Sequence, residues 1–194
     1  LRDRCDWIAI KGAHHKSFRD VSLKIMRSRD SFYRYLICST SIPKEIVRAI
    51  GHKYRHVVLC GISLGGLIAL IENISEPQFD LVVPIVAGPN ITDVMFRSAF
   101  RKMLQSHFRR RELKTPWLHM FDLTWRLEKT KGPPIRPLLA TSDRIFRFPV
   151  QKASSERIER AEATCFEGGH LTGAANLLVV TNHLATQIQE HCWD

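Results

Sequence analysis

Three residues of the types that carry out nucleophilic catalysis are spread along the 194-residue chain. Ser63 lies in "GISLGG", Asp143 ends the stretch "PLLATSD", and His170 ends the stretch "FEGGH". A serine hydroxyl becomes a strong nucleophile when a histidine accepts its proton and an acidic side chain orients that histidine. The three residues therefore predict attack on a carbonyl carbon, provided that the fold brings them together.

The surroundings of Ser63 indicate a sharp turn between a strand and a helix. "HVVLC" (56–60) predicts a strand, and "LGGLIALIENI" (64–74) predicts a helix. Gly61 and Gly65 complete the pattern G-x-S-x-G, in which the missing Cβ atoms let the strand and the helix approach while the serine projects outward. The alternative interpretation is a small residue at a tight turn of a non-catalytic protein.

The residue after the serine predicts a second functional group. Leu64 opens the predicted helix, and its backbone N–H would point to the place where an oxyanion forms.

Asp143 and His170 are the favoured partners among several candidates. Asp143 follows an apolar run, although a helix cap or a turn would also explain an aspartate there. Eight other histidines are present, but only His170 follows a strand through a Gly-Gly loop. Asp93 and Asp122 lie inside a predicted helical segment and are not favoured.

No metal ion and no other cofactor is expected. His14 and His15 are adjacent in sequence, so they lack the spacing of a helical ligand pair, and no nearby carboxylate or thiol completes a site.

The elements that must position these residues alternate along the chain. We predict a buried strand at "DWIAI" (6–10), a helix that Pro43 opens within 29–54, and a closing helix over 174–192. "FDLVVPIVAG" (79–88) predicts another strand, in which Pro84 indicates a bulge or a nearby strand end. Alternating strands and helices predict an α/β fold with a mostly parallel sheet and helices on both faces.

The segment 90–131 predicts a helical, cap-like insertion within one domain that covers residues 1–194. It is basic and contains apolar side chains on one side, which favours a lid over a substrate pocket. Basic residues among aromatic ones also occur in nucleic-acid-binding segments, but the chain carries no signature of such a fold, so nucleic acid is not the expected partner. The candidate substrate-binding residues are Phe96, Phe100, Met103, Trp117, Phe121 and Trp125.

Composition narrows the environment and the partners. Lys and Arg number 29 against 19 Asp and Glu, and the net charge of +10 favours an anionic substrate or a membrane surface as a partner. The five cysteines are scattered and form no C-x-x-C pair, which predicts reduced thiols and a cytoplasmic protein. No secretory signal and no membrane-spanning stretch is expected.

From about residue 5 to 190 the sequence resembles the α/β-hydrolase superfamily. The resemblance rests on "HVVLCGISLGG", "PLLATSDRIFRFP" and "FEGGHLTG", and on the chain order serine, aspartate, histidine. "IAIKGAHHKSF" is similar to the strand and loop that precede the nucleophile helix in this family, although His15 replaces a glycine. The resemblance implies a serine esterase, lipase or thioesterase that acts on a small-molecule ester or thioester.

The same resemblance predicts that part of the family's domain is missing here. In the superfamily, further strands and a loop that donates a second oxyanion N–H precede this point, whereas four residues precede Cys5. Either the upstream portion has been lost from this sequence, or the protein is an abbreviated variant. Loss of one oxyanion donor costs about 10²- to 10³-fold in rate. The alternative function is therefore a non-catalytic protein that binds an anionic partner or a membrane surface through its basic insertion.

Overall fold

The computed structural model describes residues 5–10, 29–75, 78–102 and 122–193. The strands are β1 (Val58–Ile62), β2 (Leu81–Ile85), β3 (Leu138–Ala140) and β4 (Thr164–Phe166). The α-helices are α1 (Arg29–Ile50), α2 (Leu64–Ser75), α3 (Ile91–Arg97), α4 (Thr124–Lys129), α5 (Phe148–Glu156), α6 (His170–Ala175) and α7 (Leu177–Cys192). Two 3₁₀ turns cover Gly51–Lys53 and Ala99–Lys102.

The four described strands form one parallel sheet in the order β1-β2-β3-β4. All five residues of β2 are buried, as expected for a parallel strand that is covered on both faces. This explains why the sequence around β2 is apolar without interruption. The predicted α/β class with a parallel sheet is confirmed.

Helices cover both faces of the sheet. On one face, Leu184 and Ile188 of α7 pack against Val83 of β2 and Leu138 of β3. On the other face, Ala69 of α2 and Val47 of α1 pack with side chains of β1 and β2. The carboxyl ends of the strands remain the edge at which functional side chains can gather.

Pro84 interrupts one backbone hydrogen bond of the sheet. Val82 N–H donates to Pro134 O, and Val86 N–H donates to Leu138 O. Position 84 lies midway between these two donors, so an N–H there would point to Arg136 O, midway between the two acceptors. Proline has no N–H, and β2 ends one residue later at Ile85. The predicted strand end near Pro84 is therefore present.

Two other predictions about the elements are wrong. Residues 6–10 form no strand and Trp7 is 61% exposed, because no described strand lies beside them to complete a backbone ladder. Pro43 lies inside α1 and does not open it. A proline in a helix removes one hydrogen bond, but α1 packs into the core on both sides of it, through Leu36 before and Val47 after.

The amphipathic segment predicted after residue 90 does not begin as one continuous helix. The helix α3 ends at Arg97, because Ser98 is extended and its N–H closes the helix on Asp93 O. Its hydroxyl also donates to Val94 O, a local bond that competes with helix continuation. None of the helices in the described parts of the chain combines the length with the apolar character that a bilayer crossing requires.

Candidate active site

Ser63 lies at a strained turn between β1 and α2. Its φ angle is 54°, a left-handed conformation that is uncommon for residues other than glycine. Its N–H donates to Ile85 O at 2.8 Å, and its carbonyl accepts from Leu67 N–H at 3.1 Å. The neighbouring strand and the first turn of the helix therefore hold the serine in a conformation that would otherwise be unfavourable.

The close approach of β1 and α2 depends on Gly61 and Gly66. A Cβ atom on Gly61 would lie 2.2 Å from Gly65 O, and one on Gly66 would lie 2.6 Å from the Ala87 Cβ. A Cβ atom on Gly65 would meet nothing within 4 Å among the described residues. The prediction that Gly65 permits the approach is therefore wrong, and Gly66 has this role, because its Cβ atom would also lie 2.8 Å from Gly61 O of β1.

The structure brings together the three side chains that the sequence singles out. Ser63 Oγ lies 2.7 Å from His170 Nε2, and His170 Nδ1 lies 2.8 Å from Asp143 Oδ2. The side chains of His170 and Asp143 are 9% and 2% exposed. A carboxylate accepts hydrogen bonds, so Nδ1 carries the proton and Nε2 has a lone pair directed at the serine hydroxyl.

The loop after β3 fixes the carboxylate. Asp143 Oδ1 accepts hydrogen bonds from the N–H groups of Ile145 at 2.7 Å and Phe146 at 3.0 Å. These two donors hold Oδ1, and Oδ2 faces His170. The ring of Phe146 stacks on the imidazole of His170, with ring centroids 5.7 Å apart and planes 14° from parallel. The same loop thus orients both the acid and the histidine.

The loop after β4 fixes the start of α6, where His170 lies. Gly168 has a φ angle of 157°, and its carbonyl accepts from Ser142 N–H at 2.8 Å, which ties the histidine loop to the acid loop. A Cβ atom on Gly173 would lie 2.5 Å from the Phe166 ring. The small residues of "FEGGHLTG" therefore let α6 pack close to the sheet.

A thiol three residues before the serine does not compete with it. Cys60 lies on β1, and burial raises the pKa of its thiol to about 12. The thiol therefore stays protonated near neutral pH, and a protonated thiol is a poor nucleophile. Among the described ranges, no group of three His, Cys, Asp or Glu side chains could hold a metal ion; His14 and His15 lie outside those ranges.

The remaining predicted site residues lie in different surroundings. Leu64 is the first residue of α2, so its N–H has no carbonyl partner inside the helix. Phe96 packs against the core cluster that contains Phe32 and Met95. Trp125 is 40% exposed, and the cationic groups of Arg126 and Lys129 lie over its ring. The roles predicted for Leu64, Phe96 and Trp125 stay predictions. Outside the described residues lie Met103, Trp117 and Phe121, together with the side chain of Phe100.

Sequence reasoning missed Gly66, Phe146 and Arg147. Gly66 was visible as the second glycine of "LGG", and Phe146 as the apolar residue three positions after the predicted acid. Arg147 pairs with Asp93, 54 residues earlier in the chain, and no local pattern signals such a contact.

Comparisons with known proteins agree with this architecture. The sequence matches no protein-family model and no curated protein, so the comparison rests on solved structures. MGS-MChE2, an alpha/beta hydrolase enzyme from the metagenome of lagoon sediments at Mar Chica, Morocco, is similar with a TM-score of 0.56 and 18% identity, over 80% of this chain and 70% of that chain.

Two further solved structures share the fold. An alpha/beta fold family hydrolase from Bacillus anthracis is similar with a TM-score of 0.57 and 13% identity, over 78% of this chain and 73% of that one. The acylaminoacyl peptidase of Pyrococcus horikoshii is similar with a TM-score of 0.63 and 12% identity, over 88% of this chain but 30% of the peptidase.

The chain has the α/β-hydrolase fold. Structures named alpha/beta hydrolases match 78–80% of this chain at TM-scores of 0.56–0.57, and the described strands form a parallel sheet. The α/β-hydrolase resemblance predicted from the motifs is thus confirmed for the fold. At identities of 12–18% the likeness carries no reaction or substrate from these proteins to this chain.

Proposed function

We propose that this α/β-hydrolase-fold chain is a serine hydrolase that cleaves a carboxylic ester or thioester. The observation that carries the proposal is the hydrogen-bonded series from Ser63 Oγ through His170 to Asp143, with distances of 2.7 and 2.8 Å. A nucleophile, a base and an orienting acid in this order are the parts that acyl transfer needs.

In the first half of the proposed reaction, Ser63 Oγ attacks the carbonyl carbon of the substrate. Its proton moves to His170 Nε2, and the imidazolium that forms is stabilised by the negative charge of Asp143. The carbonyl oxygen becomes an oxyanion, and we assign its stabilisation to the Leu64 N–H at the start of α2. Collapse of the intermediate breaks the bond to the leaving alcohol or thiol, which takes the proton from Nε2, and the acyl group stays on Ser63.

The second half returns the site to its starting state. His170 Nε2 takes a proton from a water molecule, whose oxygen attacks the acyl carbonyl. The second intermediate collapses, the carboxylic acid leaves, and Ser63 Oγ regains its proton from Nε2. Throughout both halves, two backbone N–H groups hold Oδ1 of Asp143, so Oδ2 stays directed at His170.

The substrate class rests on the site and on the names of similar structures. A cold-adapted esterase from an Arctic intertidal metagenomic library and the esterase domain of a Rhodothermus marinus protein are among them, of which this chain spans 56% and 69%. Because both are named esterases, they support a carboxylic ester as the substrate. The proposed substrate is therefore uncharged at the reacting carbonyl and small enough to reach Ser63.

A fluorophosphonate probe tests the proposed nucleophile, because it reacts with activated serines. We expect a covalent adduct on Ser63, mapped by mass spectrometry, and no adduct in Ser63→Ala. Ser41→Ala is the matched control: Ser41 is an exposed serine on α1, and its removal should leave labelling unchanged. A folded protein that stays unlabelled at Ser63, or a Ser63→Ala variant that labels as fast as the parent, would refute the proposal.

A further inference from the structure

The loop from Asp143 to Arg147, which we call the acid loop, contacts more than the two side chains that it orients. Arg144 O accepts a hydrogen bond at 3.0 Å from the N–H of Ala99, just after α3. Phe146 packs with Ala87 and with Val94 of α3 in one buried cluster. The first helix of segment 90–131 therefore touches the acid loop through both backbone and side chains.

An ion pair completes this connection. The guanidinium Nε of Arg147 lies 3.1 and 3.0 Å from the two carboxylate oxygens of Asp93, and its Nη2 also contacts Oδ1. The Asp93 side chain is 4% exposed, whereas the Arg147 side chain is 39% exposed. The hydrogen bond to Asp93 raises the pKa of Arg147 above its usual range. A fork-shaped contact of this kind sets the relative orientation of the two groups as well as their separation.

A second polar contact, farther along the chain in α5, also binds this part of the molecule to the start of α3. The Asn90 N–H lies 3.2 Å from Gln151 Oε1, and the Gln151 amide donates to Asn90 O at 3.2 Å. Asn90 caps α3 by accepting from the Asp93 N–H at 2.9 Å. The end of the acid loop and the first turn of α5 are thus both bound to the start of α3.

We propose that the Asp93–Arg147 ion pair is a positioning element for the Asp143–His170 pair, which couples α3 to catalysis; this rests on the proposed serine hydrolase function. Oδ1 of Asp143 is held by N–H groups of the acid loop, so a displacement of that loop moves Oδ2 relative to His170. The buried carboxylate of Asp93 has one described cationic partner, Arg147. Loss of the guanidinium leaves this carboxylate unpaired, which drives it toward solvent and displaces the loop.

The test compares Arg147→Lys and Arg147→Gln with the parent protein. Lysine keeps the charge but loses the fork, and glutamine loses both. We expect kcat for p-nitrophenyl acetate to fall about 10- to 100-fold, because small misplacements of catalytic groups have effects of this size. KM should stay within a factor of about two, since neither variant changes a group that touches substrate.

The matched control is Arg157→Gln. Arg157 follows the same helix α5 and pairs with Glu128 at 2.6 Å, but it lies outside the acid loop, so this variant should keep the parental kcat. A second readout is the proton NMR resonance of the His170 Nδ1–H, which should shift in the Arg147 variants and not in the control. A purely structural role for Arg147 would lower thermal stability without moving this resonance.

The outcomes separate the inference from the function on which it rests. If the parent protein does not label at Ser63 with a fluorophosphonate, the proposed function fails. If the parent labels and Arg147→Lys has the parental kcat and resonance, the positioning role is overturned and the function stands. If Arg147→Gln does not fold, the test rests on Arg147→Lys alone. A lowered kcat in that variant supports the positioning role of the ion pair, and an unchanged kcat overturns it.

Discussion

At the scale of single residues, the turn at Ser63 depends on which glycines meet backbone. Gly61 faces the carbonyl of Gly65 across the turn, and Gly66 faces Ala87 after the next strand. Gly65 faces open space among the described residues, although it is the glycine that completes G-x-S-x-G. Of the two motif glycines, Gly61 is therefore sterically required and Gly65 is not, whereas Gly66, outside the motif, is required.

Alanine substitutions at two of these glycines should change the free energy of unfolding by different amounts. Gly61→Ala should lower the free energy of unfolding by about 3 kcal/mol or more, because its Cβ would overlap backbone atoms that cannot move aside. Gly65→Ala should change it by less than about 1 kcal/mol, with alanine favoured in the first turn of α2. Urea denaturation of both variants measures the difference, and equal destabilisation of the two would contradict the steric account.

At the scale of elements, a histidine of α7 replaces a missing hydrogen bond of the sheet. His183 Nε2 lies 3.2 Å from Arg136 O, the carbonyl that an N–H at position 84 would face. A carbonyl only accepts, so Nε2 carries the proton. Burial lowers the pKa of His183, opposed by this hydrogen bond and by Glu190. The helix that covers the sheet thereby also completes its hydrogen bonding.

The burial of His183 predicts that acid weakens the fold through this side chain. The pKa of His183 is lower in the folded than in the unfolded chain, so the unfolded chain takes up the proton first as the pH falls. The stability that His183 contributes to the folded chain is fully present above about pH 6.5, the ordinary pKa of histidine. It is lost as the pH falls through the pKa of His183 in the folded chain.

Denaturant unfolding between pH 8 and pH 5 measures this loss. His183→Gln keeps a hydrogen-bond donor but does not titrate, so it should lose less stability on acidification than the parent. His52→Gln, at an exposed histidine of the first 3₁₀ turn, should follow the parent. An identical pH dependence in parent and His183→Gln would rule out this role for His183.

At the scale of the whole molecule, the sequence was most informative where structure is local. An apolar strand, a serine turn and a helix follow one another from His56 to Ile74, so their pattern predicts their geometry. Asp143 and His170 could be placed because each follows an apolar run that ends at the same edge of a parallel sheet. The α/β-hydrolase fold followed from these pieces.

Features that depend on distant contacts could not be predicted. Part of the steric need for Gly66 comes from Ala87, which lies just after the next strand, β2. The ion pair of Arg147 with Asp93 joins residues 54 positions apart. Whether residues 6–10 form a strand depends on a neighbour that can pair with them, and an apolar pattern does not supply one.

The closing helix α7 packs on one face of the sheet, so its inward side chains should contribute more to stability than to catalysis. Leu184 is 5% exposed and packs against β2 and β3, whereas Leu178 on the same helix is 70% exposed. Leu184→Ala should lower the free energy of unfolding by about 2–5 kcal/mol. Leu178→Ala should change it by less than about 0.5 kcal/mol.

The labelling rate at Ser63 should stay unchanged in both leucine variants when the protein is folded. His170 is held by hydrogen bonds to Ser63 and Asp143 and by the loops after β3 and β4, whereas the side chains of both leucines lie on α7. Urea denaturation and fluorophosphonate labelling in the absence of urea measure the two properties separately. A Leu184→Ala protein that is folded yet labels many-fold more slowly would show that α7 also sets the geometry of the site.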